Sequence, residues 1–485
     1  MQKFVLFSLA LLATCNQGFS QKYSLSGEVD IRRSEMYGLI GKLNDRFLLF
    51  YVEDGYVNIQ ALDEAMHKIA EKQIEPEKKN TAKVFDVLSG KNDFCLIYQY
   101  RKQGRNFVKI EKYDSGLHLL DSASVFWSKA RGWADPIPTM VHSDDRRVVM
   151  FYTAPSDENI EATAVNLENL KVIQSQQYST KGLNFGENFK EALVSNTGDI
   201  FFAWEHSNRN MVIDKHVVSV AQLSAGGSLT QYALPMKETI CTDIKFTYDN
   251  LHNRIIAGGL YTKKGGYKSQ GYFTTILNEP GNPRVSFHPF DDVFISSVKG
   301  RKVSNNKGID DIKVQEIAFR KDGGILLFVE QIEKRARSVN NYMYQPPYSS
   351  GAYAPGTFNN PYYNQIDYYY DNIFVFSTHP DGEQHWRTVL YKKQNSENDD
   401  GAFCSYFLMK TPSALRLIFN DDIQKGSSVS EYDLNALGQY EHHILMNTEG
   451  QNLSLRFHDA MQVAANEIVV PSEEHHRLRF LKMEY

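Results

Sequence analysis

The chain has 485 residues and a mass of 55.6 kDa, with 53 Lys+Arg against 58 Asp+Glu and a formal net charge of −5. Apolar residues at 42% and charged residues at 23% exclude a disordered, collagen-like or disulfide-dense chain. The near balance of charge excludes the basic excess of a general nucleic-acid binder.

At the N-terminus, Lys3 precedes an apolar run from Phe4 to Thr14. That is too short for a bilayer, which takes about 20 residues. With the small residues around Gly18-Phe19-Ser20, it predicts a signal peptide over 1–20, cleaved after Ser20. Leu12-Ala13-Thr14-Cys15 also resembles a lipobox, which makes Cys15 an alternative lipid anchor, although Thr14 fits poorly before the cysteine. No later run approaches transmembrane length, so the mature chain is expected to be exported and either soluble or lipid-anchored.

From Tyr23 onward the chain reads as β. Short apolar runs recur: FLLFY (47–51), FCLIY (94–98), VVMFY (148–152), IFFAW (200–204), IIAGGLY (255–261), ILLFVE (325–330), LRLIF (415–419) and EIVV (467–470). β-branched and aromatic runs of this length between turn residues are strands. A strand–turn–strand unit follows each of the first seven, with turns near Asp63, Asp114, Asn166, Ala225, Glu279, Pro380 and Asp433. The period is about 52 residues, with one interval near twice that. Each unit therefore has four antiparallel strands, A to D, and the fold class expected is all-β: a single β-propeller over 21–485. The last unit holds A, B and C but no D, while YSLSGEVDI (23–31) is a spare strand. If the spare strand completes the last blade, eight blades close the ring; seven is the alternative. Closure removes exposed sheet edges.

The double interval comes from an insertion at 333–370 between the B and C strands of blade six. It reads as a Tyr/Asn/Pro-rich loop with Tyr342, Tyr344, Tyr348, Tyr353, Tyr362, Tyr363, Tyr368, Tyr369 and Tyr370. Such a loop is either a binding surface for a protein or glycan, or a flap over the channel. The A–B and C–D turns are short, whereas the long connections (122–138, 177–189, 286–312, 333–370, 391–402) all open on the other face, around the channel mouth. Functional residues favour loops on rigid scaffolds, which makes this the expected binding face. On it, Trp127, Arg131 and Trp133 form either a recognition group or inter-blade packing. Glu187, Asp243, Asp400, His458 and Asp459 are polar candidates for the channel mouth, with Glu191, Asp311 and Glu316 close to the starts of A strands. Glu397, Asp399 and Asp400 are either a solvated loop or a calcium-like cluster whose spacing misses the EF-hand pattern.

Cys95, Cys241 and Cys404 each sit in an apolar run and are expected to be unpaired core thiols. There is no C-x-x-C, H-E-x-x-H or G-x-S-x-G, so no metal, cofactor or catalytic residue is assigned. The stretch DNIFVFSTHPDGEQHWRTVLYKKQNSENDDGA (371–402), with the Gly-Gly-Ile-Leu-Leu strand before it, resembles uncharacterised secreted propeller-type proteins of Bacteroidota-like bacteria. That resemblance implies the fold and a periplasmic, outer-membrane-associated or extracellular location, and it carries over no site residue. The function expected is binding or scaffolding through the long-loop face, without nucleic acid. The alternative is a polysaccharide hydrolase or lyase using channel carboxylates.

Overall fold

The computed structural model describes residues 21–129, 137–156, 158–180, 185–205, 216–263, 268–277, 283–303, 308–340, 362–423, 428–448 and 450–485. The strands form eight antiparallel sheets in a ring, an eight-bladed β-propeller. The A strands are Ser34–Leu43, Lys83–Ser89, Thr139–His142, Phe189–Val194, Thr239–Asp249, Ile312–Phe319, Phe407–Lys410 and Met461–Ala464.

Each B strand is apolar on both faces because both faces are buried. Residues alternate between the two seams that flank a blade. Phe94, Leu96 and Tyr98 pack against blade one, whereas Cys95 and Ile97 pack against blade three. The core is accordingly eight clusters, one per seam. The three described cysteines are buried and unpaired.

The C–D turns repeat one piece of side-chain chemistry. Asp63 Oδ1 accepts the Ala65 and His67 amides, Asp114 Oδ1 that of His118, Asn166 Oδ1 that of Glu168, and Asn435 Oδ1 those of Leu437 and Gln439. A short side chain that holds its own downstream backbone is why Asp and Asn mark these turns.

Blade eight consists of Met461–Ala464, Glu467–Glu474 and Arg477–Glu484, and the N-terminal strands Lys22–Leu25 and Val29–Asp30 both pair with Arg477–Glu484. The register sets Lys22 against Glu484, Leu25 against Leu481 and Val29 against Leu478. Ser26 fills the gap between the two short strands: its amide donates to Phe480 O (3.0 Å), and its hydroxyl accepts the Phe480 amide (2.8 Å). Tyr23 and Leu25 pack into the seam with blade seven, Val29 and Ile31 into the seam with blade one. Lys42, Glu64, Glu467 and Lys482 add an ion-pair network across the latter.

Two local features differ from the sequence reading. The connection after blade five contains a helix, Asp292–Lys299. Asp291 caps it by accepting the Phe294 amide (2.7 Å), Gly300 ends it in the left-handed region, and Phe294 and Ile295 plug the seam between blades five and six. The second is the insertion. Rather than looping from residue 333, the B strand of blade six continues to Asn340 (Ile325–Asn340) and the C strand begins at Tyr362 (Tyr362–Thr378). Past a bulge at Glu330/Ile332, nine further pairs run from Ile332↔Tyr370 to Asn340↔Tyr362. They form an arm of about 30 Å at roughly 3.4 Å per residue. A third strand, Gln394–Glu397, pairs with it along Asp367–Tyr370.

Candidate functional site

Four A strands interrupt an apolar run with one carboxylate: Asp86, Glu191, Asp243 and Glu316. Each directly follows a register shift in the pairing with its B strand. A bulge re-aims the side chain after it, here out of the blade plane toward a neighbour. Glu191 Oε2 accepts the Phe246 amide of blade five (2.9 Å), and Asp243 Oδ2 accepts the Val314 amide of blade six (2.7 Å). Glu316 pairs with Lys410 of blade seven (2.8 Å). Gln462 of blade eight accepts the Lys410 amide (3.0 Å) and donates to the Lys410 carbonyl (2.9 Å). From blade four to blade eight the inner ring is thus clasped by side chains that hold a neighbouring backbone or, at Glu316–Lys410, a neighbouring charge.

Burial pushes the carboxyls of Glu191 and Asp243 above the ordinary range, only partly countered by the amides they accept and by nearby lysines. Burial likewise raises Asp86, against the Val87 amide and the positive charges of His142 and Arg146. Arg146, on the A–B turn of blade three, reaches the axis: its Nη1 lies 3.7 Å from Sδ of Met461 in blade eight.

At the mouth, Lys190 lies 2.5 Å from Glu205, and His216 Nε2 accepts the Cys241 amide (3.1 Å). That bond places the imidazole proton on Nδ1, which faces Glu205 Oε1 at 3.9 Å. Complete burial, with Glu205 and Asp243 nearby, raises the Cys241 thiol well above its ordinary value. The Cys–His–Glu grouping therefore holds a thiol and not a thiolate nucleophile.

Across the mouth, Lys392 and Glu330 form a fully buried ion pair at 2.7 Å. Lys392 also donates to Tyr370 O (3.0 Å) and Gln394 Oε1 (2.8 Å), and Glu330 Oε2 accepts the Ser405 hydroxyl (2.7 Å). Together these pin the connection 391–406 onto blade six. The Asp459 hydrogen bond holds His458 above its ordinary value, and the Glu330 charge adds to that. Burial works to raise Asp459, but His458 and Arg456 outweigh it and hold it low. Arg456 links Asp459 (2.7 Å) to Glu473 (2.7 Å), which also accepts from Tyr37.

Of the residues singled out from sequence, Asp243 lies within the A strand Thr239–Asp249, His458 and Asp459 lie in a 3-10 turn before the A strand Met461–Ala464, and Asp400 lies beside the arm, where it accepts the Tyr368 hydroxyl (2.9 Å). The carboxylates of 397–400 do not converge. Glu397 serves Arg337 and Gln365, whereas Asp399 accepts the Ser396 hydroxyl (2.7 Å) and the Gly401 amide (2.9 Å). Among the described residues, no three His, Cys, Asp or Glu side chains come together as a metal site. Trp127 lies on the D strand Leu119–Lys129 and not in a loop, opposite Phe107. Tyr362 and Tyr363 open the outer C strand of the arm, and Glu187 lies in the turn of helix Phe185–Asn188; of these four residues the backbone alone is described. Arg131, Trp133, Tyr342, Tyr344 and Tyr353 lie outside the described residues, as does Cys15. Asp86, Glu330, Lys392 and Gln462 are among the site residues that the sequence reading did not single out. For Asp86 a signal existed, since VFDVL repeats the lone acid of KEALV, TDIKF and QEIAF.

The arm presents Lys334 over the Tyr368 ring (5.1 Å), Arg335 over Tyr369 (5.0 Å) and Arg337 paired with Asp367 (2.7 Å). No helix among the described residues is long and apolar enough to cross a membrane.

No protein-family model matches the chain, and no curated protein matches its sequence. Among solved structures, it is similar to Sqt1 of Chaetomium thermophilum at 9% identity and a TM-score of 0.43, covering 95% of this chain and 98% of that one. It is also similar to an uncharacterised protein of Listeria monocytogenes at 7% identity and a TM-score of 0.39, covering 81% and 90%. The polysaccharide lyase Uly1 is similar at 9% identity and a TM-score of 0.38, covering 82% and 89%. None of these similarities assigns a role to a residue of this chain.

Proposed function

We propose that the chain is a binding or scaffold propeller of the cell envelope or extracellular space. It engages a protein or glycan through the long-loop face. The observation that carries this reading is the blade-six arm. It is continuous with the blade's own B and C strands and braced by Gln394–Glu397. It therefore holds cation–aromatic pairs at a fixed distance from the ring, with little entropy left to lose on binding. The clasping role of Glu191, Asp243 and Glu316 fits the same reading, because those groups are already spent on neighbouring blades.

One observation favours a second reading, polysaccharide hydrolysis or lysis at the channel mouth: burial raises both Glu191 and Asp243, and the Asp243 charge adds to the rise of Glu191. Asn340 and Tyr362 face each other in register, so 341–361 can be replaced by an Asn-Gly turn without disturbing the arm. Pull-downs and glycan arrays with the 21–485 protein, with this variant and with Lys334→Ala/Arg335→Ala test the first reading, which requires capture by the parent protein and its loss when the cation–aromatic pairs are removed. Glycan cleavage that disappears in Glu191→Gln would replace it by the second. Export belongs to the same proposal and is read by mass spectrometry: Gln21 as the first residue supports the cleaved form, and a lipid on Cys15 the anchored one.

A further inference from the structure

On the short-turn face, opposite the arm, a cavity of about 310 Å³ opens between blades five and six. That is the lower end of the size range of small-molecule sites. Its lining includes Arg254, Thr274, Arg284 and Ser286 from blade five, with His379 and Asp381 from blade six. Alternation along the C strand Gly271–Leu277 gives Thr274 the same side as Tyr272, which packs into the seam with blade six. Elsewhere in the ring, polar side chains such as Glu191, Asp243 and Gln462 are spent on the next blade. Here some groups pin the walls, whereas others in the lining are unspent. Arg254 is held by Asp249 (2.9 Å) and donates to Gly323 O (2.8 Å), and His288 Nε2 donates to Gly382 O (2.9 Å). These bonds fix the A–B and C–D turns of blade six against blade five. Gly382 makes the approach possible: it is at φ +88°, and a Cβ there would meet Ser286 Oγ at 2.1 Å.

Within that frame, the side chains of Thr274, Arg284 and Ser286 make no hydrogen bond or ion pair to any described residue, and His379 has only its ring contact with His385 (4.4 Å). One guanidinium with no carboxylate partner among the described residues, two hydroxyls and an imidazole, all facing one preformed cavity, are the donor set of an oxoanion site. We propose that this cavity binds a small molecule bearing a phosphate or sulfate group, with Arg284 as the charged anchor and Thr274 and Ser286 as neutral donors. Among the described residues, Asp381 is the one lining carboxylate. It is exposed and accepts the Glu383 amide (2.9 Å), so it opposes the ligand from the rim.

Calorimetric titration with glucose 6-phosphate, inorganic phosphate, sulfate and, as a neutral control, glucose tests the assignment. Binding of the charged probes is expected, weakened about tenfold or more in Arg284→Ala, where a charged hydrogen bond is lost. It is expected to tighten in Asp381→Asn. Both substitutions are at exposed positions, and unchanged melting confirms that the fold is intact. The proposal is overturned if no charged probe binds at 10 mM, if glucose binds as tightly as its phosphate, or if Arg284→Ala binds like the parent protein. Because the arm lies on the other face, these results are independent of the pull-downs with the arm variants.

Discussion

Ile31 is the residue through which the N-terminal segment can be weighed. It is 6% exposed in the seam between blades eight and one, among Leu39, Phe47, Leu49, Met66, Leu478 and Phe480. Shortening it to Ala removes three carbons from a site walled by both blades. Such truncations cost about 2–4 kcal/mol, the lost transfer energy plus that of the cavity left behind. At ~1.4 kcal/mol per tenfold, that is roughly 30- to 700-fold in the equilibrium between the closed and opened seam. The control is Ile69→Ala on the outer strand of blade one, where the side chain is 49% exposed and the expected change is within about 0.5 kcal/mol. Native-state hydrogen exchange reads the effect locally. In the parent protein the Ser26 and Ile31 amides, which donate to Phe480 O and His476 O, should exchange slowly. In Ile31→Ala they should speed up by the factor above, together with the Phe480 amide that Ser26 Oγ receives, while blade four stays unchanged. Exchange of residues 22–31 at the rate of a free peptide in the parent would refute the closure. So would equal effects of the two substitutions.

Two other outcomes follow from the site. Lys392→Met leaves Glu330 buried without its partner and is expected to cost about 3–5 kcal/mol, whereas the double variant with Glu330→Leu should recover most of it; denaturant unfolding of the three proteins measures this. Glu191→Gln keeps an acceptor for the Phe246 amide but no longer ionises. A carboxyl raised in the folded state contributes stability that is full below its unfolded value and is lost as pH rises through the folded one. Melting temperature against pH should therefore fall less in Glu191→Gln than in the parent from about pH 4 upward, and parallel curves would refute the assignment.

The eight-blade ring was legible because its signals are local. Asp63, Asp114, Asn166 and Asn435 tie their own turns, and runs such as FCLIY must be apolar on both faces. The closing strand was legible from arithmetic, a blade short of a D strand and a strand without a blade. The arm was not, because Tyr, Asn and Pro read as loop, while strand formation in 362–370 is supported by cross-strand partners at 332–340 and 394–397. The helix Asp292–Lys299 left its marks in Asp291 and Gly300, but at eight residues it lacks the length to show a clear period. The clasps were hidden for another reason. Glu191 meets Phe246 and Asp243 meets Val314 across separations that only the closed ring makes short.

The seam that joins Lys22–Asp30 to Arg477–Glu484 also sets a timetable. Lys22–Leu25 has no partner until Arg477–Glu484 has been made, so it must wait, unpaired, through the synthesis of the seven blades between them. Those blades can collapse one after another as they emerge, but none of them can use it without leaving blade eight incomplete. Ring closure therefore follows the synthesis of Arg477–Glu484 and starts from an open ring with one free edge at each end. A holding factor present during synthesis would find its target at Tyr23–Ile31 and nowhere so exposed once the ring has shut.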